Sequence, residues 1–127
     1  MSEKSYKDLI AWQKGMDFVT DVYRLTQKFP REELYGLRSQ LRRSAVSVVS
    51  NIAEGQGRGT PQEFRHFISM ALGSLMEAET QILVGQRLSF VSQAECDELL
   101  TQSHEVGRLL GGLFKSDLKP RKGPGEQ

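Results

Sequence analysis

Apolar residues recur every three or four positions in four separate stretches of this 127-residue chain, with polar residues between them. That spacing gathers the apolar side chains on one face of an α-helix, which is then buried against other helices. Proline and glycine residues separate the four stretches, and none of them alternates strictly as a β-strand does. The pattern predicts helices over about residues 8–28, 37–54, 61–87 and 93–115.

Capping sequences support these helix starts. Residues 60–63 read Thr-Pro-Gln-Glu, in which threonine can cap the third helix, proline suits its first position and glutamate can reach back to the cap. Residues 92–95 read Ser-Gln-Ala-Glu and predict the same arrangement for the fourth helix. Gly55 stands where a left-handed residue is expected to end the second helix.

The predicted core follows from the register of neighbouring helices. In an antiparallel pair, residues at the same level have numbers with a constant sum, and the apolar stripes give sums of 64, 116 and 181 for the three consecutive pairs. The stripes are Trp12, Met16, Val19 and Tyr23; Leu41, Ala45, Val48 and Ile52; Phe64, Ile68, Ala71, Leu75, Ala78 and Ile82; and Leu99, Ser103, Val106, Leu110 and Leu113. We therefore predict an all-α, antiparallel up-down-up-down four-helix bundle in residues 1–118, followed by a disordered tail at 119–127.

A second apolar stripe runs along each of the first three helices. Its members are Phe18, Val22 and Leu25, then Val46, Val49 and Ala53, then Leu72, Met76 and Leu83. One bundle does not bury both stripes of a helix, so the second stripe predicts a surface covered by other copies in a homo-oligomer. The alternative is a wide core face with scattered apolar residues on the surface.

The second helix also carries a polar stripe. Its residues are Arg43, Ser47, Asn51 and Glu54, and Glu77 of the third helix lies within reach of Arg43 in the predicted register. An Arg43–Glu77 ion pair between helices is one interpretation of this stripe, and it would serve mainly to fix the register. The other interpretation is a solvated face.

The sequence predicts no catalytic, cofactor or metal site, and hence a protein that is not an enzyme. Glu63 and His66 have the spacing of di-iron bundles, but such sites need two motifs of this kind with further carboxylates. The glycine-rich residues 55–59 lack the preceding strand and the Lys-Ser/Thr of a phosphate-binding loop. Cys96 stands beside acidic residues that do not activate a thiol.

Net charge and targeting features limit the partners and the location expected for this chain. The chain has 17 basic and 16 acidic residues, a net charge of +1, whereas nucleic-acid-binding domains are usually strongly basic. Its one cysteine, the polar start and the lack of a run of about 18 apolar residues predict a cytoplasmic protein without a membrane span.

Basic residues are nevertheless grouped along the chain. Arg38, Arg42 and Arg43 fall within two turns of the second helix. A further group, expected at the end of the bundle that holds the 2–3 connection, predicts a patch for non-specific contact with RNA or DNA phosphates: Arg58, Arg65, Lys119 and Arg121. The alternative is a solvated surface that compensates the dipole of the last helix.

Three segments together resemble a known family. Residues 6–14 (Tyr-Lys-Asp-Leu-Ile-Ala-Trp-Gln-Lys), the pair Phe29-Pro30, and residues 40–55, which include Ser-Asn-Ile-Ala-Glu-Gly, are similar to the 23S rRNA-intervening sequence proteins. That family includes the accessory variability determinant of diversity-generating retroelements. The resemblance implies a homopentameric ring of four-helix bundles and, for the retroelement branch, a nucleic-acid or reverse-transcriptase partner.

Two functions are therefore expected. The first is a non-enzymatic oligomeric scaffold that binds nucleic acid, or a partner that processes it, through basic patches. The alternative is an oligomeric protein-interaction module with no role in nucleic-acid binding.

Overall fold

The computed structural model describes residues 5–118, and all regular secondary structure in this range is helical. Its elements are a 3₁₀ turn at Tyr6–Asp8, α1 at Ile10–Thr26, a second 3₁₀ turn at Arg31–Glu33, α2 at Leu37–Arg58, α3 at Pro61–Arg87 and α4 at Gln93–Leu118. The four long helices correspond to the four periodic stretches of the sequence. The tail predicted to be disordered, 119–127, lies outside the described residues.

The start of α4 has both hydrogen bonds of its predicted capping box, whereas the start of α3 has the bond to the threonine hydroxyl but not the return bond in which the Glu63 carboxylate would accept from the Thr60 N–H. The Thr60 hydroxyl accepts from the backbone N–H of Glu63 at 3.2 Å, and Pro61 occupies the first turn. At α4, the Ser92 hydroxyl accepts from the Glu95 N–H at 3.1 Å, and the Glu95 carboxylate accepts from the Ser92 N–H at 2.9 Å. Each cap satisfies backbone donors that have no partner inside the helix.

The end of α2 differs from the prediction. The helix continues through Gly55 to Arg58, and Gly59, at φ 88°, is the left-handed residue that terminates it. Gly55 is instead buried inside the helix, where an added Cβ would lie 2.8 Å from the Cβ of Phe67. Glycine at position 55 therefore permits close packing of α2 on α3, and the assignment of Gly55 as the helix end was wrong.

The bundle closes around a single core. α2 packs against α1 and α3, and α4 packs against α3 and α1. The predicted core residues of α2, with most of those of α3 and α4, are buried: Leu41, Ala45, Val48, Ile52, Ile68, Ala71, Leu75, Ala78, Ile82, Leu99, Ser103, Val106 and Leu110. Phe64 and Leu113 are partly buried and pack against this core.

α1 presents a different face from the one predicted. Its buried residues are Ala11, Gly15, Phe18, Val22 and Thr26. Met16 and Tyr23 are 38% and 40% exposed, and Trp12 and Val19 are partly buried beside the core. A Cβ at Gly15 would lie 2.7 Å from Cγ1 of Val49, so the missing side chain at Gly15 is what brings this face against α2.

The level at which α2 and α3 meet also differs from the prediction. Their contacts join Gly55 to Phe67 and Leu37 to Gly85, pairs whose numbers sum to 122, and Ser47 to Ser74, which sum to 121. The predicted sum of 116 is thus too low by five to six residues. That register matched apolar side chains only, whereas close contacts at two glycines and a bond between hydroxyl groups set the observed level.

Candidate functional site

A hydrogen-bonded polar cluster joins the middle of α2 to α3. The hydroxyl oxygens of Ser47 and Ser74 lie 2.9 Å apart. The side-chain amide of Asn51 donates to the Ser47 carbonyl at 2.9 Å and to the Ser47 hydroxyl at 3.1 Å. These partly buried groups satisfy one another across the interface, so they hold α2 and α3 at one level.

The predicted link between Arg43 and Glu77 is not formed. The Arg43 guanidinium donates to the Ser39 hydroxyl, one turn earlier on the same helix, at 3.4 Å. Arg43 and Glu77 line a common depression with Gln81, but the ion pairs within residues 5–118 do not include them. Glu54, the last member of the predicted network, pairs with Arg58 at 2.8 Å rather than with the serine and asparagine side chains.

The predicted basic patch at the 2–3 connection is partly compensated. Besides its ion pair with Glu54, the Arg58 guanidinium lies 5.0 Å from the ring centre of Phe67. Arg65 is partly buried and engaged in interactions of its own. Lys119 and Arg121 lie outside the described residues. A depression lined by Gly59, Leu113 and other residues places the last turns of α4 beside this connection.

A second basic cluster occupies the first turns of α2. Arg42 bridges to α1: its Nε donates to the Thr26 hydroxyl at 2.8 Å and its Nη2 to the Tyr23 carbonyl at 3.0 Å. Its guanidinium carbon also lies 4.4 Å from the centre of the Tyr23 ring. Burial lowers the pKa of Arg42, and the neighbouring charge of Arg38 lowers this pKa further. The cluster therefore holds like charges close together.

The remaining candidate chemistry is dispersed. His66 is exposed, with its ring centre 5.6 Å from that of Phe67, and His104 lies 3.9 Å from the Glu79 carboxylate. Among residues 5–118, no three His, Cys, Asp or Glu side chains are grouped closely enough to hold a metal ion. Cys96 is buried, and burial raises the pKa of its thiol, with a smaller contribution from Asp97.

Comparison with protein-family models decides the family. The model of the 23S rRNA-intervening sequence protein matches residues 7–112. This chain belongs to the 23S rRNA-intervening sequence protein family. Comparison with curated proteins finds no match.

A solved structure shares the fold of this 23S rRNA-intervening sequence protein. It is a protein of unknown function from the S23 ribosomal protein family of Bacteroides thetaiotaomicron, 20% identical in sequence, with a TM-score of 0.78. The match covers 84% of this chain and 99% of the Bacteroides chain. At this identity, the likeness establishes the four-helix fold alone.

The predicted oligomer surface of this family member is largely internal. Phe18, Val22 and Val49 are buried, so assigning them to a subunit surface was wrong, because α1 turns this stripe toward α2. Leu25 and Leu72 are partly buried against the core. Only three of the predicted residues are exposed to a substantial degree: Val46 at 37%, Met76 at 48% and Leu83 at 46%.

The outer side of α3, where Met76 and Leu83 lie, exposes further apolar residues. Val84 is 41% exposed, and Leu88, just after the helix, is 54% exposed. An 18-residue window of α3 has a mean hydropathy of 1.2, so this helix is long and apolar enough to cross a membrane by length and composition, a test that core helices of soluble proteins also pass. Because only 28% of that window is buried, α3 keeps apolar surface outside the bundle.

Proposed function

We propose that this family member is a non-enzymatic, oligomeric four-helix-bundle scaffold that binds nucleic acid, or a partner that processes it, through basic surface patches. The apolar outer side of α3 is the observation that carries the scaffold part of the proposal. A bundle with a satisfied core still presents Met76, Leu83 and Val84 to its surroundings. Association with further copies would cover them.

The proposal includes an antiparallel, up-down-up-down order of the helices. Two contacts support it, because Leu37 at the start of α2 lies near Gly85 toward the end of α3, whereas Gly55 toward the end of α2 lies near Phe67. The short connections between the helices also favour antiparallel neighbours. This order leaves the outer side of α3 free along its length for a second subunit.

The oligomer is proposed to be a ring, with five subunits by the family resemblance. Sedimentation equilibrium at micromolar concentration should give a species several times the 14.3 kDa of one chain. Leu83→Asp should dissociate it, because a carboxylate in a dry subunit interface is costly. Ile10→Asp, at a residue that is 58% exposed on α1, is the matched control and should leave the assembly intact. A wild-type monomer would contradict the proposal.

Nucleic-acid binding is proposed to be non-specific. Arg58 is the last residue of α2 and Arg65 lies in the second turn of α3, so both are near the 2–3 connection and suit phosphate contacts rather than the reading of base edges. Affinity should therefore be similar for unrelated RNA or DNA sequences and fall steeply between about 50 and 200 mM salt. Arg58→Ala with Arg65→Ala should weaken binding uniformly and lower the salt slope, with the oligomer unchanged.

The second candidate function is an oligomeric protein-interaction module without nucleic-acid binding. The Arg58–Glu54 pair favours it, because the pair removes net charge from the proposed patch, and the net charge of +1 provides little long-range attraction. Filter binding at low salt separates the two candidates. If the intact oligomer retains neither RNA nor DNA, the interaction module is the better account.

A further inference from the structure

The start of α2 forms a basic depression that the proposed patch does not include. It has a volume of about 390 Å³ and lies where α1 meets α2. Its lining consists of Arg38, Arg42 and Arg43, together with Tyr23, Leu34, Ser39 and Val46. Three guanidinium groups thus share one small surface cavity whose lining contains no carboxylate.

The charges in this depression have no acidic partners. None of the ion pairs within residues 5–118 involves Arg38, Arg42 or Arg43. Arg42 and Arg43 donate instead to neutral groups, the Thr26 and Ser39 hydroxyls and the Tyr23 carbonyl. Neutral acceptors orient a guanidinium but leave its charge in place. The depression therefore keeps its positive charge, although Arg43 also lines a neighbouring depression that contains Glu77.

Arg38 also has an unused donor. Its Nε is buried from solvent, and no hydrogen-bond partner for it is present in the described part of the chain. A buried donor without a partner costs free energy that a bound acceptor would recover. The closeness of Arg38 to Arg42 adds repulsion, which an anion between them would relieve.

We propose that this depression, which we call the arginine site, binds a phosphate group. Guanidinium groups bind phosphate oxygens through paired N–H donors. The three arginines together offer more N–H donors than the two oxygens of one carboxylate can accept, and a phosphate group has more acceptor oxygens. Arg42, held by Thr26 and Tyr23, provides a fixed donor around which Arg38 and Arg43 can adjust. This inference rests on the nucleic-acid part of the proposed function, but it places the contact surface at the start of α2 instead of the 2–3 connection. The experiment below distinguishes a failure of the arginine site from a failure of the proposed function.

The test titrates the intact oligomer with pyrophosphate and, separately, with a single-stranded RNA of about 20 nucleotides. Arg38→Gln with Arg43→Gln removes two charges from the site and leaves the bridge of Arg42 to α1 in place. Lys14→Gln with Arg108→Gln makes the same change in net charge at exposed positions of α1 and α4. We expect at least a tenfold loss of pyrophosphate affinity in the first variant and less than a twofold change in the control. Circular dichroism verifies that both variants are folded.

The outcomes distinguish the sources of the phosphate. RNA binding that pyrophosphate displaces, and that Arg38→Gln with Arg43→Gln weakens, supports the site with a nucleic-acid backbone as its ligand. Pyrophosphate binding without RNA binding supports the site with a free phosphate compound and removes the nucleic-acid part of the proposed function.

Other results overturn the site. If RNA is retained and only Arg58→Gln with Arg65→Gln weakens it, the patch at the 2–3 connection stands and the arginine site falls. Equal losses of affinity in the site variant and the charge-matched control would show that binding depends on net charge alone. Absence of pyrophosphate binding, or stronger binding of a glutamate-rich peptide, would equally overturn it.

Discussion

The two ends of α2 carry similar basic sequences in different surroundings. At the start, Arg42 donates to a hydroxyl and a carbonyl of α1, and Arg38 retains a donor without a partner. At the end, Arg58 is paired with Glu54 and lies over the ring of Phe67. Arg38 and Arg58 are 20 residues apart, about 30 Å along the helix, so the two ends act as separate surfaces.

This difference shows why the number of basic residues is a poor guide to an anion site. An arginine that pairs with a carboxylate one turn away contributes little field beyond its own pair. An arginine oriented by neutral acceptors keeps its full charge and has its donors arranged in advance. The partners of each guanidinium, more than the count of arginines, therefore favour the start of α2 as the stronger phosphate-binding surface.

The largest effect is expected from the core that supports both ends. Leu75, fully buried on α3, should destabilise the fold by about 2–5 kcal/mol when changed to alanine, because a cavity remains. Met76→Ala, at the adjacent but 48% exposed position, should cost less than about 0.5 kcal/mol in the monomer. Urea unfolding measures both. If Leu75→Ala lowers the free energy of unfolding by less than about 0.5 kcal/mol, Leu75 is not part of a core that both ends of α2 share.

The sequence predicted the helices of this core better than the face of α1. In α2, α3 and α4 one apolar stripe dominates, so residues such as Leu41 and Leu110 could be assigned to the core from spacing alone. α1 offers two stripes of similar strength. The choice between them depends on the close approach of Gly15 to Val49, and a residue without a side chain contributes nothing to an apolar pattern.

The candidate site was less predictable than the fold. The cluster of Arg38, Arg42 and Arg43 is visible in the sequence, but its partners are not, because Thr26 and Tyr23 lie on another helix. Similarly, Arg58 looked free for phosphate contact, although Glu54 precedes it by one helical turn. That i,i+4 spacing was the signal for the pair, and it was overlooked in favour of the network around Ser47.

A smaller effect should distinguish two glycines at the far end of α2. An added Cβ at Gly55 would lie 2.8 Å from Phe67, whereas an added Cβ at Gly57 would have no neighbour within 4 Å. Gly55→Ala should therefore destabilise by about 1–3 kcal/mol through overpacking. Gly57→Ala should stabilise by up to about 1 kcal/mol, because alanine favours the helix. Thermal unfolding of the pair measures the contrast, and equal effects would contradict close packing at this end.

The next largest effect is expected from removing the hydrogen bond between Arg42 and the Thr26 hydroxyl. Thr26→Val keeps the shape of a fully buried side chain but removes the acceptor for Arg42 Nε, and should cost about 1 kcal/mol of stability. Pyrophosphate affinity should fall with it, because Arg42 loses its fixed orientation. Thr20→Val is the control, since its exposed hydroxyl donates only to the Met16 carbonyl. If Thr26→Val changes neither stability nor affinity, Arg42 is not positioned by this bridge.

The smallest effect concerns a compensated charge where Lys28, just after α1, meets the start of α4. The Glu95 carboxylate accepts hydrogen bonds from Lys28 and from the Ser92 backbone, and these lower the pKa of Glu95 from an ordinary 4.5 to about 2. Because the folded pKa is the lower one, the stabilisation is complete above about pH 4.5 and is lost as the pH falls toward 2.

A glutamine at this position tests that window. Glu95→Gln should be less stable than the wild type at pH 6, and the difference should shrink steadily between about pH 4.5 and 2, where the wild-type carboxylate becomes protonated. Glu98→Gln, at an exposed acid on the same helix, is the control for loss of charge alone. Urea unfolding across this range measures both variants. A difference that stayed constant from pH 6 to pH 2 would show that Glu95 acts as a neutral helix cap and that its charge adds nothing to the stability of the fold.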